Sequence, residues 1–323
     1  MSFLVAVTDY VFSSLEPEQR VLAPLGVDLQ SQQCRSEEEI IALAQDADAI
    51  LNCYAKMTAR VIENLTRCKI IARYGIGVDN VDLTAATQAG ILVTNVPDYC
   101  IDEVSDHALA LLLALARKIV TADAGVKSGT WSVTAHAEIR RLRELTLGLI
   151  GFGKIAKALA SKVQPLGMKL LVHDPYLAPE LIALHGAEAA GLERLLAEAD
   201  AISIHVPLSR ETRNLIGPRE LARMKPSAFL INTSRGGIVD EQALAIALKE
   251  GRLGGAALDV LSTEPPPPDH PLRQAPNLIL TPHLSFYSRE SVIELQIKAA
   301  EEVARALKGE PPRSPVNPEV LAR

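Results

Sequence analysis

The stretch LGLIGFGKIAKALA, residues 147–160, decides the fold. An apolar run that ends in Gly-x-Gly-x-x-Ala and continues as a helix is how a dinucleotide-binding βαβ unit opens. Gly151 permits the tight turn, Gly153 lets a pyrophosphate approach the backbone, and Ala156 is small enough for the helix to lie close on its strand. Phe152, Lys154 and Ile155 complete the loop and the first helical turn, whose positive end would meet the phosphates. Taken alone the pattern also fits a glycine-rich turn, but its context is specific. The next strand, KLLVHD (169–174), ends in Asp174, where an acid accepts hydrogen bonds from the adenosine ribose and repels a 2′-phosphate. NAD is therefore favoured, and NADP stays open because His173 alongside could soften the repulsion.

This unit begins almost at the midpoint of the chain, so something precedes it. FLVAV (3–7), AILNC (49–53), KIIARYG (69–75) and ILVTNVP (91–97) read as strands. Between them lie a helix opened by the capping box Ser36-Glu-Glu-Glu39, one capped by Thr58, and a short one ended by Gly90. Strand alternating with helix means a parallel sheet covered on both faces. A long apolar helix, about 102–117, leads to the glycine motif. Strands AISIHV (201–206), AFLINT (228–233), GGAALDV (254–260) and NLILTPH (277–283) follow, and a last helix spans about 288–308. The expected organisation is an α/β chain of two domains, with residues 101–285 inserted into a first domain made of 1–100 and 286–323.

At 323 residues the chain exceeds what one core commonly supports, which agrees with two domains. A formal charge of -6 with no basic cluster argues against a nucleic-acid partner. MSFLVAVTDYVF has no secretory pattern and ALALLLALA (108–116) is too short to span a bilayer, so no membrane role is expected. Cys34, Cys53, Cys68 and Cys100 show no metal or redox spacing, which suits small core residues in a reducing, cytoplasmic setting, and no metal site is expected.

Three segments end strands where open α/β sheets bind ligands: INTSRGG (231–237), LDVLSTEPP (258–266) and LTPHLSF (280–286). Each delivers one group, Arg235, Glu264 and His283. Together they suit hydride transfer to a ketone. A histidine can donate the proton, a carboxylate beside it can hold it charged and oriented, and a guanidinium can grip the carboxylate and carbonyl of a 2-oxo acid. The cofactor carries the hydride.

The set GFGKIA, HDP, HVPLSRET, INTSRGGIVDE, GAALDV, STEP and TPH resembles the D-isomer-specific 2-hydroxyacid dehydrogenase family over essentially the whole chain. The resemblance implies two Rossmann-like domains, a flavodoxin-like substrate domain carrying an inserted NAD-binding doubly wound parallel sheet. It implies catalytic roles for Arg235, Glu264 and His283, and interconversion of a small 2-oxo acid and its D-2-hydroxy acid with NAD. It also implies that Asp259 holds the nicotinamide amide, that His205, Val206, Pro207 and Thr212 border the adenosine half, and that Thr233 lies along the cofactor.

ARYGIGVDNVD (72–82) resembles the family's substrate loop, so Arg73, Tyr74, Gly75, Ile76 and Gly77 join Arg235 as substrate-binding candidates, with backbone N–H groups forming a small anion nest. This loop, EIRRLRE (138–144) and TPHLSFYSRES most resemble the branch of the C-terminal binding proteins, NADH-binding corepressors, within a phosphoglycerate dehydrogenase-like group. Phe286 departs from that branch, which carries tryptophan there. Tyr74, Phe286 and Tyr287 suit either an aromatic pocket or ordinary core packing. The alternative function is an NADH-sensing corepressor-like scaffold. A homodimer through the 102–117 helix and the arm after it is implied, and no appended regulatory domain is expected.

Overall fold

The computed structural model describes residues 2–134 and 138–322. The chain divides into two compact units, Met1–Tyr99 with Ser288–Arg323, and Cys100–Tyr287.

The first unit is built on a five-stranded parallel sheet. Its strands are β1 (Leu4–Val7), β2 (Asp28–Ser31), β3 (Ala49–Asn52), β4 (Ile70–Arg73) and β5 (Leu92–Thr94), in the order β2-β1-β3-β4-β5. Helices α1 (Glu16–Leu22), α2 (Glu37–Ala44), α3 (Ala59–Glu63) and α4 (Leu83–Gln88) connect them. Central strands are buried on both faces, which is why they read as continuous apolar runs. One face packs Ala6, Ile50, Ile71 and Val93 against Ile40, Val61, Ile62 and Ala86 of α2 to α4. On the other lie α1 and the last long helix of the chain, residues Arg289–Lys308, which packs on β3, β4 and α1. That helix opens with Ser288 and Ser291 capping each other's backbone N–H at 2.9 Å.

Two expectations need correction. Ser36 caps α2 by accepting from the Glu39 N–H, but the Glu39 carboxylate returns to the Arg35 N–H at 2.6 Å rather than to Ser36. The sequence reading also passes over β2 and α1. The β2 residues DLQS are polar and largely exposed at the sheet edge, so no apolar alternation marks them.

The second unit carries a seven-stranded parallel sheet. Its strands are β6 (Thr146–Ile150), β7 (Lys169–His173), β8 (Glu188–Ala189), β9 (Ala201–Ile204), β10 (Phe229–Asn232), β11 (Gly255–Leu258) and β12 (Leu278–Leu280). The order β12-β11-β10-β9-β6-β7-β8 reverses between β6 and β9, and such a reversal is where doubly wound sheets open a ligand crevice. Helices α5 (Ile101–Ala116) and α7 (Lys154–Val163) cover one face, burying Leu112, Ala156 and Leu159 on Leu147, Leu149 and Ile231. The opposite face packs Leu195, Leu221, Leu244 and Leu248 on Ile202, Ile204, Leu230 and Leu258. These side chains come from α9 (Leu192–Glu198), α10 (Pro218–Arg223) and α11 (Glu241–Lys249). Each fully buried leucine contributes about 1.5–3 kcal/mol through burial.

The short helices α6 (Ile119–Lys127) and α8 (Pro179–Ala183) complete the unit, and the final helix of the chain is thus α12. Below the sheet, buried Asp200 accepts from the Thr146 N–H, Arg140 and Lys225 at 2.8–3.0 Å. Burial pushes its carboxyl up, but these donors prevail and hold it below its usual range. One of the arginines of EIRRLRE is therefore a structural tether.

Candidate active site

The glycine loop after β6 is shaped by backbone contacts. Gly151 has φ of +84°, and a Cβ there would lie 2.8 Å from the His205 carbonyl oxygen and 2.7 Å from Val206 Cγ1. A Cβ on Gly153 would meet nothing within 4 Å, so the entrance to α7 is open. The Phe152 ring turns into the core against His185, and its contribution to the loop is its N–H.

That N–H donates to Asp174 Oδ2 at 2.9 Å, and the Tyr176 N–H donates to Oδ1 at 3.0 Å. Asp174 is thus oriented by two amides, and each oxygen retains accepting capacity for a hydroxyl. His205 bonds Ser203 Oγ at 2.9 Å, and burial pushes it down to about 4, so it is neutral at physiological pH. Thr212 donates to the Pro207 carbonyl at 2.6 Å and accepts from the Ser209 N–H, closing the loop after β9. Thr233 is 6% exposed and its hydroxyl is buried without a hydrogen-bond partner. A glycine cradle, an open helix entrance, an oriented acid and an unpartnered hydroxyl at successive strand ends fit NAD.

The Arg235 loop leaves β10 through Asn232, whose side chain sequence reasoning missed. Buried Asn232 accepts from the Ser234 N–H at 3.0 Å and donates to the Arg235 carbonyl at 2.8 Å, bracketing the turn. Gly236 follows, and a Cβ there would lie 2.0 Å from the Leu261 carbonyl carbon. The Arg235 loop and the loop after β11 are in backbone-to-backbone contact.

The second of these loops carries Glu264. Its Oε1 accepts from the Leu261 N–H at 2.8 Å, and its Oε2 lies 2.7 Å from His283 Nδ1. Burial pushes Glu264 up, yet the bond to His283, its charge, the Leu261 amide and the charge of Arg235 together hold it below the usual range. An ionised carboxylate only accepts, so Nδ1 carries the hydrogen.

His283 stands on a left-handed backbone, with φ of +53°, which a non-glycine residue adopts only when its surroundings impose it. Asp259 is what imposes it. Its carbonyl accepts from the His283 N–H at 2.8 Å, and its 1% exposed carboxylate accepts from the Leu284 N–H, the Ser285 N–H and the Thr281 hydroxyl. The visible work of Asp259 is to hold the histidine turn, a role the sequence reading did not assign.

On the first unit, the 73–77 loop leaves β4. Gly75 has φ of +134°, and a Cβ would fall 1.5 Å from Arg73 Nη1. Only glycine lets the guanidinium fold over the turn, where Nη1 donates to the Tyr74 carbonyl and Nε is buried without a hydrogen-bond partner. The Ile76 carbonyl accepts from Asn95 Nδ2 at 2.6 Å. The loop after β3 is fixed by Asp9, whose carboxylate accepts from the N–H groups of Cys53, Tyr54 and Ala55.

Of the two readings open for Tyr74, pocket wall or core, its side chain takes the core. Its ring is 2% exposed, edge-on to Phe12, and its hydroxyl donates to buried Glu18 at 2.8 Å, so only its backbone serves the loop. Among the described residues no group of three or more His, Cys, Asp and Glu could hold a metal ion, and no helix is long and apolar enough to cross a membrane.

Comparison with known proteins gives the family. A family model described as D-isomer specific 2-hydroxyacid dehydrogenase, NAD binding domain, matches residues 109–285. The D-3-phosphoglycerate dehydrogenase of Synechocystis sp. is 42% identical over 283 residues, covering 87% of this chain and 51% of that protein. The glyoxylate reductase of Korarchaeum cryptofilum is 40% identical over 290 residues, covering 88% of this chain and 87% of that protein. A crystal structure of D-lactate dehydrogenase from Aquifex aeolicus, complexed with NAD and lactic acid, matches with a TM-score of 0.85 and 28% identity, over 99% of this chain and 97% of that one. The chain spans about half the length of the phosphoglycerate dehydrogenases it matches, 51% and 55% of two of them. The corepressor-like alternative finds no support in these relatives.

Proposed function

The chain belongs to the D-isomer-specific 2-hydroxyacid dehydrogenase family, and on that premise we propose that it is an NAD-dependent oxidoreductase interconverting a small 2-oxo acid and its D-2-hydroxy acid. The observation that carries this reading is the Glu264–His283 pair at 2.7 Å on the strand ends that also deliver Arg235. NAD, held by the Gly151–Ile155 loop, Asp174, the 205–212 loop, Thr233 and Asp259, supplies the hydride-transfer chemistry.

Arg235 grips the substrate carboxylate and carbonyl, and its fixed charge opposes the negative charge that develops on the carbonyl oxygen. On the first unit, Arg73 and the backbone of Tyr74 to Gly77 are the substrate-binding candidates. His283 Nε2 gives the proton to that oxygen in reduction and takes it back in oxidation. Glu264 keeps the ring oriented through Nδ1.

The protein acts as a homodimer formed through α5, α6 and the arm after them. The support is an apolar surface: Ile119, Val120 and Val126 are 48–56% exposed, and Trp131 and Val133 each 88%. Sedimentation at micromolar concentration giving the monomer mass would remove this part. A cytoplasmic setting accords with cysteines that form no disulfide among the described residues.

The test of function is NADH oxidation by the purified protein across glyoxylate, hydroxypyruvate, phosphohydroxypyruvate, pyruvate and aromatic 2-oxo acids, with NADPH in parallel. Turnover of one class, lost in His283→Ala with NADH binding retained, is the expected outcome. Intact NADH binding with no reduction of any 2-oxo acid would overturn the reading.

A further inference from the structure

We propose that Glu241 and His270 are positioning residues for this reaction, a second glutamate–histidine pair that sets the reach of Glu264 by anchoring the loop that carries it. The proposal rests on the function read above, because it assigns Glu264 to the proton-donating histidine.

Glu241 is the first residue of α11 and does not cap it, since Asp240 does so by accepting from the Ala243 N–H at 2.9 Å. Its carboxylate is instead turned to Ser262. Oε1 accepts from both the Ser262 N–H, at 2.6 Å, and the Ser262 hydroxyl, at 2.7 Å. Two donors from one residue fix both the place and the orientation of that residue's backbone. Oε2 lies 3.0 Å from His270 Nε2, and the two side chains are only 11% and 14% exposed. His270 Nδ1 is buried with no hydrogen-bond partner. A hydrogen on Nδ1 would be a buried unsatisfied donor, so it resides on Nε2 and donates to Glu241. His270 is itself placed by the 3-10 turn Pro271–Gln274, whose Leu272 is in the core.

Ser262 lies two residues before Glu264 in the same loop. On its other side the Leu261–Ser262 backbone rests on Gly236, where a Cβ would come within 2.0–2.3 Å of it. The loop is thus clamped between the Arg235 turn and the Glu241 carboxylate. Glu264 then closes on the Leu261 N–H and on His283. Neither Glu241 nor His270 needs to meet a substrate. Each acts through Ser262, and the Glu264–His283 hydrogen bond depends on the angle at which the loop presents the carboxylate, weakening steeply as that angle closes.

The test uses the full chain. The hydrogen on the His283 nitrogen facing Glu264 is located by proton NMR of the free protein, as the downfield resonance that Glu264→Gln removes or moves. In Glu241→Ala that resonance shifts or broadens, and Glu241→Gln, which still accepts from Ser262, restores it. If the resonance is unchanged in a folded Glu241→Ala protein, the proposal is overturned whether or not any substrate is turned over.

Steady-state assays supply the second arm. Glu241→Ala lowers kcat about tenfold with NADH affinity kept, but adds little in a Glu264→Gln background, because the reach it controls is already without effect. Equal, multiplicative losses in both backgrounds would overturn the proposal. Absence of turnover in the unaltered protein would instead count against the function itself. If Glu241→Ala fails to fold, Ser262→Ala carries the same two arms with a smaller effect.

Discussion

Two glutamate–histidine pairs in one unit do different work. Glu264 and His283 are 2.7 Å apart with side chains 34% and 22% exposed, whereas Glu241 and His270 are 3.0 Å apart and 11% and 14% exposed. Both carboxylates take a backbone N–H from the same loop, Leu261 for one and Ser262 for the other. What separates them is access. His270 is 14% exposed with its second ring nitrogen buried, while His283, on its left-handed turn, is 22% exposed. Pairing with a carboxylate orients both imidazoles, and the proposed function gives only that of His283 a substrate to meet.

The largest test of that contrast is removal of each ring. His283→Ala is expected to reduce kcat by about a thousandfold, within the range typical for a general acid. His270→Ala should cost about tenfold, from lost positioning alone. Steady-state NADH oxidation measures both, and equal losses would erase the distinction. Next comes pH dependence. Glu264 is held below its usual range, so it is ionised at neutral pH and accepts from Nδ1. Glu264→Gln keeps the size of the side chain without its charge and is expected to lower kcat about tenfold at neutral pH and less in acid, where the carboxylate itself is neutralised. A loss of the same size in acid would break this expectation.

Stability should reverse the order. His270→Ala leaves the buried Glu241 oxygen without its donor and is expected to cost about 1–3 kcal/mol in urea denaturation. His283→Gly relieves a left-handed backbone and should be neutral or stabilising by about 0.5 kcal/mol. The smallest effect concerns acid. A carboxylate whose folded value is depressed contributes stability that is present above 4.5 and is lost as pH falls through the folded value. For Glu264, a third exposed and screened by water, this is well under about 1 kcal/mol, visible only as a slightly steeper acid loss than in Glu264→Gln.

Much of this arrangement is legible in the sequence. The central strands are buried on both faces and announce themselves as apolar runs, and the glycine motif, Arg235, Glu264 and His283 follow strands at their ends. The edge strands β2 and β8 and helix α1 carry no such signature, because an edge needs few apolar residues. Tyr74 reads equally well as a pocket wall or as core, and only the buried acceptor Glu18 decides for core. Asn232, Glu241, Ser262 and His270 escaped notice for another reason. Their meaning lies in bonds between loops, such as Glu241 to Ser262 and to His270, which are 21 and 29 residues apart in sequence. No local pattern encodes such a pairing.

The backbone seam at Gly236 has a consequence for redesign. Specificity is usually altered by exchanging side chains, but a contact made by main-chain atoms offers none to exchange. A side chain at 236 would push apart the loops that carry Arg235 and Glu264, so the two groups are altered together. Libraries aimed at new 2-oxo acids should therefore leave 234–237 and 261–264 untouched.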